Sequence, residues 1–137
     1  MAALAADLTR DDDVSRLVAY VRERHSRLDA LINVAGGLSV SGRVADVDPA
    51  EWLREYERNT VTALRLIRAA LPLLRESRGA IVNFASPAGE RAVPNLGAYS
   101  AAKAGVIALT RALAIEEKAS GVRVNAIAPG MMDTAQN

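Results

Sequence analysis

A tyrosine and a lysine spaced four residues apart are the pair in this sequence best suited to acid–base chemistry. Tyr99 and Lys103 fall in a segment with the pattern of a helix, where residues i and i+4 lie one turn apart on one face. An ammonium group at that distance stabilises the phenolate form of a tyrosine. We therefore expect Tyr99 to exchange a proton with an alcohol or carbonyl oxygen.

Two polar residues earlier in the chain are candidates for the same site. Ser86 lies thirteen residues before Tyr99, at the end of a predicted strand, and Asn59 lies on a long predicted helix. Each residue alone has a more ordinary interpretation, because helical tyrosines are usually half-buried core residues and a serine after a strand is usually part of a turn. The combination, in this order and on these elements, favours a catalytic site.

The composition of the 137-residue chain excludes several other kinds of chemistry. It has no cysteine, which excludes disulfides, thiol nucleophiles and cysteine-ligated metals, and its single histidine, His25, argues against histidine metal sites and a Ser-His-Asp triad. The 17 basic residues nearly balance the 16 acidic ones, so we expect no nucleic-acid or membrane-surface partner. No apolar run approaches the length of a membrane span. We expect a soluble, cytoplasmic protein with no metal site.

The elements that must position these residues alternate between strands and helices. Strands are predicted over residues 2–6, 30–34, 80–84 and 122–127, and helices over residues 10–25, 49–76 and 97–118. Such alternation is typical of parallel βαβ units. We therefore expect an α/β fold, a partial Rossmann-like, doubly wound parallel sheet in three αβα layers. Ligands bind beyond the carboxyl ends of the strands in such sheets, which is where Ser86 and Tyr99 are expected to meet.

Capping residues indicate where the helices begin. Thr9 is the predicted N-cap of the first helix, and Asp48 followed by Pro49 is a typical start for the second. Pro72 is expected to kink the last turns of the second helix. The face of that helix that includes Trp52 is too apolar for solvent, so we expect it to be buried in the core or against another subunit.

Six short segments carry a resemblance to a known family. They are Asp7-Leu8-Thr9, Asn33-Val34-Ala35-Gly36, Asn59, Ile81-Val82-Asn83-Phe84-Ala85-Ser86, Tyr99-Ser100-Ala101-Ala102-Lys103 and Asn125-Ala126-Ile127-Ala128-Pro129-Gly130. Along nearly its whole length the sequence resembles the short-chain dehydrogenase/reductase family. The resemblance implies a catalytic tetrad of Asn59, Ser86, Tyr99 and Lys103. In this tetrad the tyrosine is the acid/base, the lysine tunes it and holds the nicotinamide ribose, the serine orients the substrate carbonyl, and the asparagine anchors a water in the proton relay.

The same resemblance implies an NAD or NADP cofactor and a small alcohol or ketone as the substrate. The implied cofactor residues are Asp7 at the adenine, Asn33, Ala35 and Gly36 in the cleft, and Pro129, Gly130 and Thr134, with Tyr99 and Lys103, at the nicotinamide end. Val34 stands where the family motif usually has a second asparagine. The resemblance also implies a homo-dimer or tetramer formed through the helices at 49–76 and 97–118.

The family's phosphate-binding turn is the part of the pattern that residues 1–137 lack. In nucleotide-binding α/β folds this turn is glycine-rich and opens a helix whose N-terminus binds the pyrophosphate, whereas Gly36-Gly37 is the only glycine pair here and opens no helix. We therefore expect residues 1–137 to be a single, incomplete domain of the family, from its third strand to just past its sixth. Two functions remain open: an NAD(P)-dependent oxidoreductase of secondary alcohols and ketones, or a catalytically inactive fragment or interaction subunit.

Overall fold

Most of the predicted strands and helices are present in the computed structural model, which describes residues 3–130. The strands are β1 (Ala30–Asn33), β2 (Ala80–Phe84) and β3 (Arg123–Ile127), and the helices are α1 (Asp11–His25), α2 (Pro49–Tyr56), α3 (Thr62–Ser77) and α4 (Gly97–Glu116). A π-helical segment, Glu57–Val61, joins α2 to α3, and a short 3-10 turn, Pro87–Gly89, precedes α4.

The three strands form a parallel sheet in the order β1-β2-β3. Asn33 of β1 lies beside Asn83 of β2, and Ile81 of β2 lies beside Val124 of β3. Each crossover between neighbouring strands contains a helix, because parallel strands cannot be joined by a tight turn. This arrangement confirms the α/β fold with a parallel sheet. It also brings the carboxyl ends of all three strands to one edge.

The helices α1, α3 and α4 pack against one face of this sheet. The buried residues of that contact are Ile67, Ala70, Leu74, Ile81, Leu113, Val122 and Val124, with Val18 and Leu31 packed against them. Since side chains alternate between the faces of a strand, Ile32 and Ile127 point to the opposite face, where they are 59% and 44% exposed. Residues 3–130 therefore form two of the three expected layers, the sheet and one layer of helices.

The chain before α1 differs from its prediction. Residues 3–7 form no strand, because a strand needs a hydrogen-bonded neighbour and β1 pairs with β2 alone in the described part of the chain. Thr9 is not the N-cap of α1, which is Arg10 instead. The Thr9 hydroxyl and amide both donate to the Asp7 carboxylate, at 2.7 and 2.9 Å. These two hydrogen bonds lower the pKa of Asp7.

The helix predicted over residues 49–76 is interrupted in its middle. At Glu57 the backbone changes to a π-helical turn, in which the Thr62 amide donates to the Glu57 carbonyl five residues back. The helix α3 then continues through Pro72 to Ser77. The main irregularity of this region is therefore the π segment, which the sequence analysis did not predict.

The ends of the other elements agree more closely with the sequence. Asp48 caps α2 as expected, because its carboxylate accepts a hydrogen bond from the Ala50 amide at 2.6 Å. The helix α4 ends at Glu116, two residues before its predicted end. Gly121, with φ +79°, then makes the turn into β3, in the left-handed region that favours glycine.

By length and composition alone, α4 is apolar enough to cross a membrane, contrary to the expectation that no segment is. Its contacts are those of a helix packed on a sheet, since it lies against β3, β2 and α2. Its buried residues include two polar ones, Lys103 and Thr110, as well as apolar side chains. These contacts bury 33% of the apolar window of α4.

Candidate active site

A cavity of about 610 Å³ opens at the carboxyl ends of the three strands. Its walls come from the segments that follow β1, β2 and β3 and from the first two turns of α4. Ser86, Tyr99 and Lys103 contribute polar side chains to these walls. Three of the four residues of the expected tetrad therefore meet at the place where open parallel sheets bind ligands.

Tyr99 and Lys103 lie one turn apart at the start of α4. The Lys103 Nζ is 5.7 Å from the centroid of the Tyr99 ring, and it donates a hydrogen bond to the Phe84 carbonyl at 2.9 Å. Gly89 packs so closely on α4 that a Cβ at this position would lie 2.7 Å from the Lys103 carbonyl carbon. The end of β2 and the 3-10 turn therefore fix the position of Lys103 from two sides.

Lys103 is a buried cation, with 5% of its surface exposed. Burial lowers the pKa of its ammonium group, because the surroundings solvate a charge less well than water does. The negative charge of Glu55 acts in the opposite direction and raises the pKa of Lys103. Burial is the larger effect, so the Lys103 ammonium releases its proton more readily than a surface lysine does.

Ser86 follows β2 and caps the 3-10 turn. Its Oγ accepts a hydrogen bond from the Ala88 amide at 3.2 Å. A hydroxyl that accepts one hydrogen bond still has its own hydrogen to donate. The Ser86 hydroxyl is therefore oriented by the turn and can donate to an oxygen atom of a bound molecule.

Asn59 lies in the π segment, 2% exposed, and is not among the residues that line the cavity. Its Nδ2 donates to the carbonyl oxygens of Gly37 and Glu55, both at 3.0 Å, and its Oδ1 accepts from the Gly37 amide at 2.9 Å. At Gly36, where φ is +138°, a Cβ would lie 2.6 Å from the Asn59 Oδ1. Asn59 therefore holds the loop after β1, and only glycine fits at position 36.

Besides Tyr99 and Lys103, three of the residues expected at a cofactor line the cavity, and Ala35 does not. Gly36, Pro129 and Gly130 belong to its walls. Ala35 is exposed and lies outside the lining.

The side chain of Asn33 lies in the protein interior and not at the cavity, which corrects its predicted place in the cleft. It is 8% exposed, and its Nδ2 donates to the Asn83 Oδ1 at 2.8 Å. The alternation of β1 directs Asn33 toward the helices, where Asn83 satisfies its amide. Asp7 is exposed in the segment before α1 and is not part of the cavity lining. Thr134 lies outside the described residues.

Glu55, which was not among the residues expected at the site, has a fully buried side chain that contacts Ser39 and Asn59. Glu55 is 0% exposed, and its carboxylate accepts hydrogen bonds from the Ser39 amide at 3.1 Å, from the Ser39 hydroxyl and from the Asn59 Nδ2 at 3.1 Å. The spacing of Glu55 and Asn59, four residues apart on one helix, is the signal that could identify the pair. Ser39 carries no such signal, because only the folding of the loop brings it to Glu55.

Two aromatic residues of α2 pack against α4. Trp52 is half-buried, and a Cβ at Gly97 would lie 3.2 Å from its ring. Tyr56 is 37% exposed, and a Cβ at Gly105 would lie 3.0 Å from its hydroxyl oxygen. This face of α2 is thus only partly buried. The surface of α4 at Gly105 is covered by Tyr56 of the same chain.

The cavity fits one end of a dinucleotide cofactor. A nicotinamide ribose needs hydrogen-bond donors beside an open backbone, and Tyr99 and Lys103 provide the donors. At Gly37 and Gly130 an added Cβ would meet nothing within 4 Å, so the backbone is open to a ligand at both. A pyrophosphate is not accommodated in the same way at the starts of α1 and α2, because acidic residues occupy the first turns of both helices.

Comparisons with known proteins connect this arrangement to one family. The sequence model described as "short chain dehydrogenase" matches residues 1–137. The (5R,7aS)-5-hydroxy-7a-methyl-1-oxo-2,3,5,6,7,7a-hexahydro-1H-indene-carboxyl-CoA reductase of Mycobacterium tuberculosis is 42% identical over 130 residues, which are 93% of this chain and 49% of that protein. The chain spans about half the length of the curated relatives that it matches.

Solved structures share the fold. NAD⁺-bound xylitol dehydrogenase superposes with a TM-score of 0.92 at 31% identity, covering 97% of this chain and 52% of that one. ElxO with NADP bound superposes with a TM-score of 0.90 at 28% identity, covering 95% of this chain and 53% of that one. Since the family model matches every residue of the sequence, the chain belongs to the short-chain dehydrogenase family of oxidoreductases.

Proposed function

We propose that the cavity is the reacting end of an NAD(P)-dependent oxidoreductase site that interconverts a secondary alcohol and a ketone. The observation that carries this proposal is the meeting of Ser86, Tyr99 and Lys103 at one cavity, with the Lys103 Nζ 5.7 Å from the Tyr99 ring. Membership of the family and the NAD⁺- and NADP-bound relatives support a nicotinamide cofactor of either form.

Tyr99 is the proton donor and acceptor in this proposal. In the direction of reduction its hydroxyl gives a proton to the substrate oxygen, and the nearby Lys103 ammonium stabilises the phenolate that results. The Ser86 hydroxyl donates to the same oxygen and so orients the carbonyl group. A bound nicotinamide supplies or accepts the hydride at the carbonyl carbon. Asn59 contributes by holding the loop after β1 that forms one wall.

The proposed cofactor residues follow from their places around the cavity. Tyr99, Lys103, Gly36, Pro129 and Gly130 are proposed to contact the nicotinamide and its ribose. The role proposed for Asn33 is indirect, since its amide is buried against Asn83 and fixes the end of β1. A contact of Asp7 with the adenine, a place for Ala35 in the cofactor cleft and a contact of Thr134 with the nicotinamide end are also proposed.

The wider setting is part of the same proposal. Residues 1–137 are proposed to be the portion of a family domain from its third strand to just past its sixth, acting in the cytoplasm on a small alcohol or ketone. Association of subunits through α2, α3 and α4 is supported by exposed apolar residues on these helices, such as Leu53, 68% exposed, and Ile115, 77% exposed.

Replacing Tyr99 by phenylalanine tests the proposal. The assay uses the protein expressed in and purified from its native organism. We expect the rate of ketone reduction to fall by about 10²–10⁴-fold, the usual contribution of one acid/base group, with cofactor binding nearly unchanged. Tyr20→Phe, which removes a hydroxyl from α1, is the matched control and should keep full turnover. Near-full turnover in Tyr99→Phe would exclude Tyr99 from this role. Absence of hydride transfer in the wild type, with both cofactors and a panel of ketones, would overturn the proposal as a whole.

A further inference from the structure

A fully buried carboxylate lies next to the candidate site without belonging to the residues proposed for catalysis. Glu55, on the last turn of α2, is 0% exposed. An ionised carboxylate is costly to bury unless hydrogen bonds and an opposite charge compensate for the lost water. A buried glutamate at this position therefore requires partners, and the structure provides two kinds.

The first kind of partner is a set of hydrogen-bond donors. Glu55 accepts from the Ser39 amide at 3.1 Å, from the Ser39 hydroxyl and from the Asn59 Nδ2 at 3.1 Å. Ser39 belongs to the loop that follows β1, and Asn59 belongs to the π segment. The carboxylate thus connects two segments that Asn59 also joins through Gly37.

The second kind of partner is a buried cation on the facing helix, which lies beyond salt-bridge distance of the Glu55 carboxylate and acts on it through charge alone. Lys103 is 5% exposed, and its Nζ donates to a neutral group, the Phe84 carbonyl. The π segment is held against α4 next to this lysine, because the Thr60 hydroxyl donates to the Ala102 carbonyl at 2.7 Å. The charge of Glu55 reaches Lys103 across this contact and raises its pKa against the effect of burial.

We propose that Glu55 is a positioning residue of this site: its carboxylate fixes Asn59 and the loop at Ser39, and it is the buried counter-charge of Lys103. In the described part of the chain, the Lys103 ammonium then has two titratable neighbours: the Tyr99 ring, which lies close to it, and Glu55, which acts through its charge. Without the Glu55 charge, burial acts on Lys103 alone and favours its neutral form. A neutral Lys103 no longer stabilises the Tyr99 phenolate. That catalytic consequence rests on the proposed function, whereas the charge pairing is a property of the folded chain.

The lysine content of the chain makes the pairing directly measurable. Lys103 and Lys118 are its only lysines, so labelling lysine Cε with ¹³C gives two resonances for a pH titration by NMR. We expect Glu55→Gln, which removes the charge at nearly constant volume, to shift the pKa of Lys103 downward and to leave the titration of Lys118 unchanged. We also expect the Asn59 side-chain amide protons or the Ser39 amide proton to exchange faster with solvent, because glutamine has one acceptor oxygen where the carboxylate has two.

Glu57→Gln is the matched control. Glu57 lies two residues further along the chain, at the start of the π segment, but pairs with Arg65, so its neutralisation should leave both the Lys103 titration and the Asn59 exchange rate as in the wild type. Glu55→Met, which needs no hydrogen-bond partner for its own side chain, replaces Glu55→Gln if that variant does not fold. An unchanged Lys103 pKa in a folded Glu55 variant, or an equal shift in Glu57→Gln, would overturn the proposal.

Kinetics of the same variants separate this inference from the proposed function. A Glu55→Gln protein with a lowered Lys103 pKa should show a lower kcat for ketone reduction, with its KM for the ketone nearly unchanged. If Tyr99→Phe keeps full turnover, the proposed function fails while the Lys103 titration still decides the role of Glu55. If the Lys103 pKa is insensitive to Glu55 while Tyr99→Phe is inactive, the counter-charge role alone fails.

Discussion

Several positions of the sheet have a polar residue on the face covered by helices and an apolar residue on the open face. On the face covered by helices, Asn33 and Asn83 are 8% and 0% exposed. On the other face, Ile32 and Ile127 are 59% and 44% exposed. Ile32 and Asn33, neighbours in β1, therefore have the polar residue inside and the apolar residue outside.

The covered face tolerates its polar residues because each amide has a partner. The Asn33 Nδ2 donates to the Asn83 Oδ1 at 2.8 Å, the Asn83 Nδ2 donates to the Thr110 Oγ1 at 2.9 Å, and the Thr110 hydroxyl donates to the Val106 carbonyl at 2.8 Å. This chain of hydrogen bonds runs from β1 through β2 to α4, and a paired buried polar group costs little. The difference between the faces teaches that a strand residue is buried when a helix covers its side of the sheet, whatever its type. The type of the residue decides whether that helix or a neighbouring strand must provide a hydrogen-bond partner.

The largest expected effect concerns cofactor binding by the 137-residue chain. The residues around the cavity provide donors for the nicotinamide end, and acidic residues begin α1 and α2. We expect this chain to bind the cofactor with a dissociation constant in the millimolar range or higher. A site that binds the pyrophosphate with two or three charge-assisted hydrogen bonds, at about 1.5–3 kcal/mol each, would instead give micromolar binding. Calorimetric titration with NAD⁺, NADH, NADP⁺ and NADPH measures this directly. Micromolar binding would show that the chain holds a phosphate site, on the open face or elsewhere.

The next largest effect is a contrast between two isoleucines on the two faces. Ile81→Ala on the covered face should lower the free energy of unfolding by about 2–5 kcal/mol, because it leaves a cavity in the core. Ile32→Ala on the open face should cost less than about 1 kcal/mol, because little buried contact is lost. Urea unfolding of both variants gives the two values. Equal losses would mean that the open face is covered in solution.

A smaller contrast is expected between two asparagines. Asn83→Ala should destabilise the fold by about 1–3 kcal/mol, because it removes the acceptor of the buried Asn33 amide and the donor to the Thr110 oxygen. Asn125→Ala, at an exposed position of β3 beside Val82, should change the stability by no more than about 0.5 kcal/mol. Thermal and urea unfolding measure both. A neutral Asn83→Ala would contradict the view that the covered face depends on paired amides.

The smallest expected effect depends on pH. The hydrogen-bonded guanidinium of Arg75 lowers the pKa of the Glu117 carboxyl below its ordinary value of 4.5. Because the folded-state pKa is lowered, the stabilisation is fully present above pH 4.5 and is lost as the pH falls through the folded-state value. Glu117→Gln should cost about 1 kcal/mol at pH 7, since Arg75 is half exposed and solvent screens the pair, and less in acid.

Glu116→Gln is the control for this measurement, since Glu116 is the exposed neighbour of Glu117 on α4. Its stability relative to the wild type should show no comparable change between pH 7 and pH 3. The same cost of Glu117→Gln at both pH values would contradict the pairing with Arg75.

Much of the sheet and of the cavity could be predicted from the sequence. The apolar runs over residues 30–34, 80–84 and 122–127 predicted the three strands to within one residue, and the Asp48-Pro49 pair predicted the start of α2. The rule that ligands bind at the ends of parallel strands then placed Ser86 and Tyr99 at one site. These predictions succeeded because each depends on local residue patterns or on one general rule of topology.

The remaining features depend on contacts between distant segments. A run of apolar residues around Asn33 does not reveal which face is covered, so the direction of its amide could not be predicted. The burial of Glu55 depends on Ser39, sixteen residues away in the loop. The strand expected over residues 2–6 failed for the same reason, because its existence depends on a neighbour and not on its own composition.

The π segment also has a consequence for how this region tolerates changes in length. A π turn is equivalent to one residue inserted into an α-helix, and at 3.6 residues per turn one residue rotates the following helix by about 100°. Because of this rotation, Ile67 of α3 faces the sheet while Glu55 of α2 faces the loop after β1. Deleting a single residue within Glu57–Val61 would restore a regular helix and turn one of these two side chains away from its partners. We therefore expect insertions and deletions to be excluded from this segment even where substitutions are accepted.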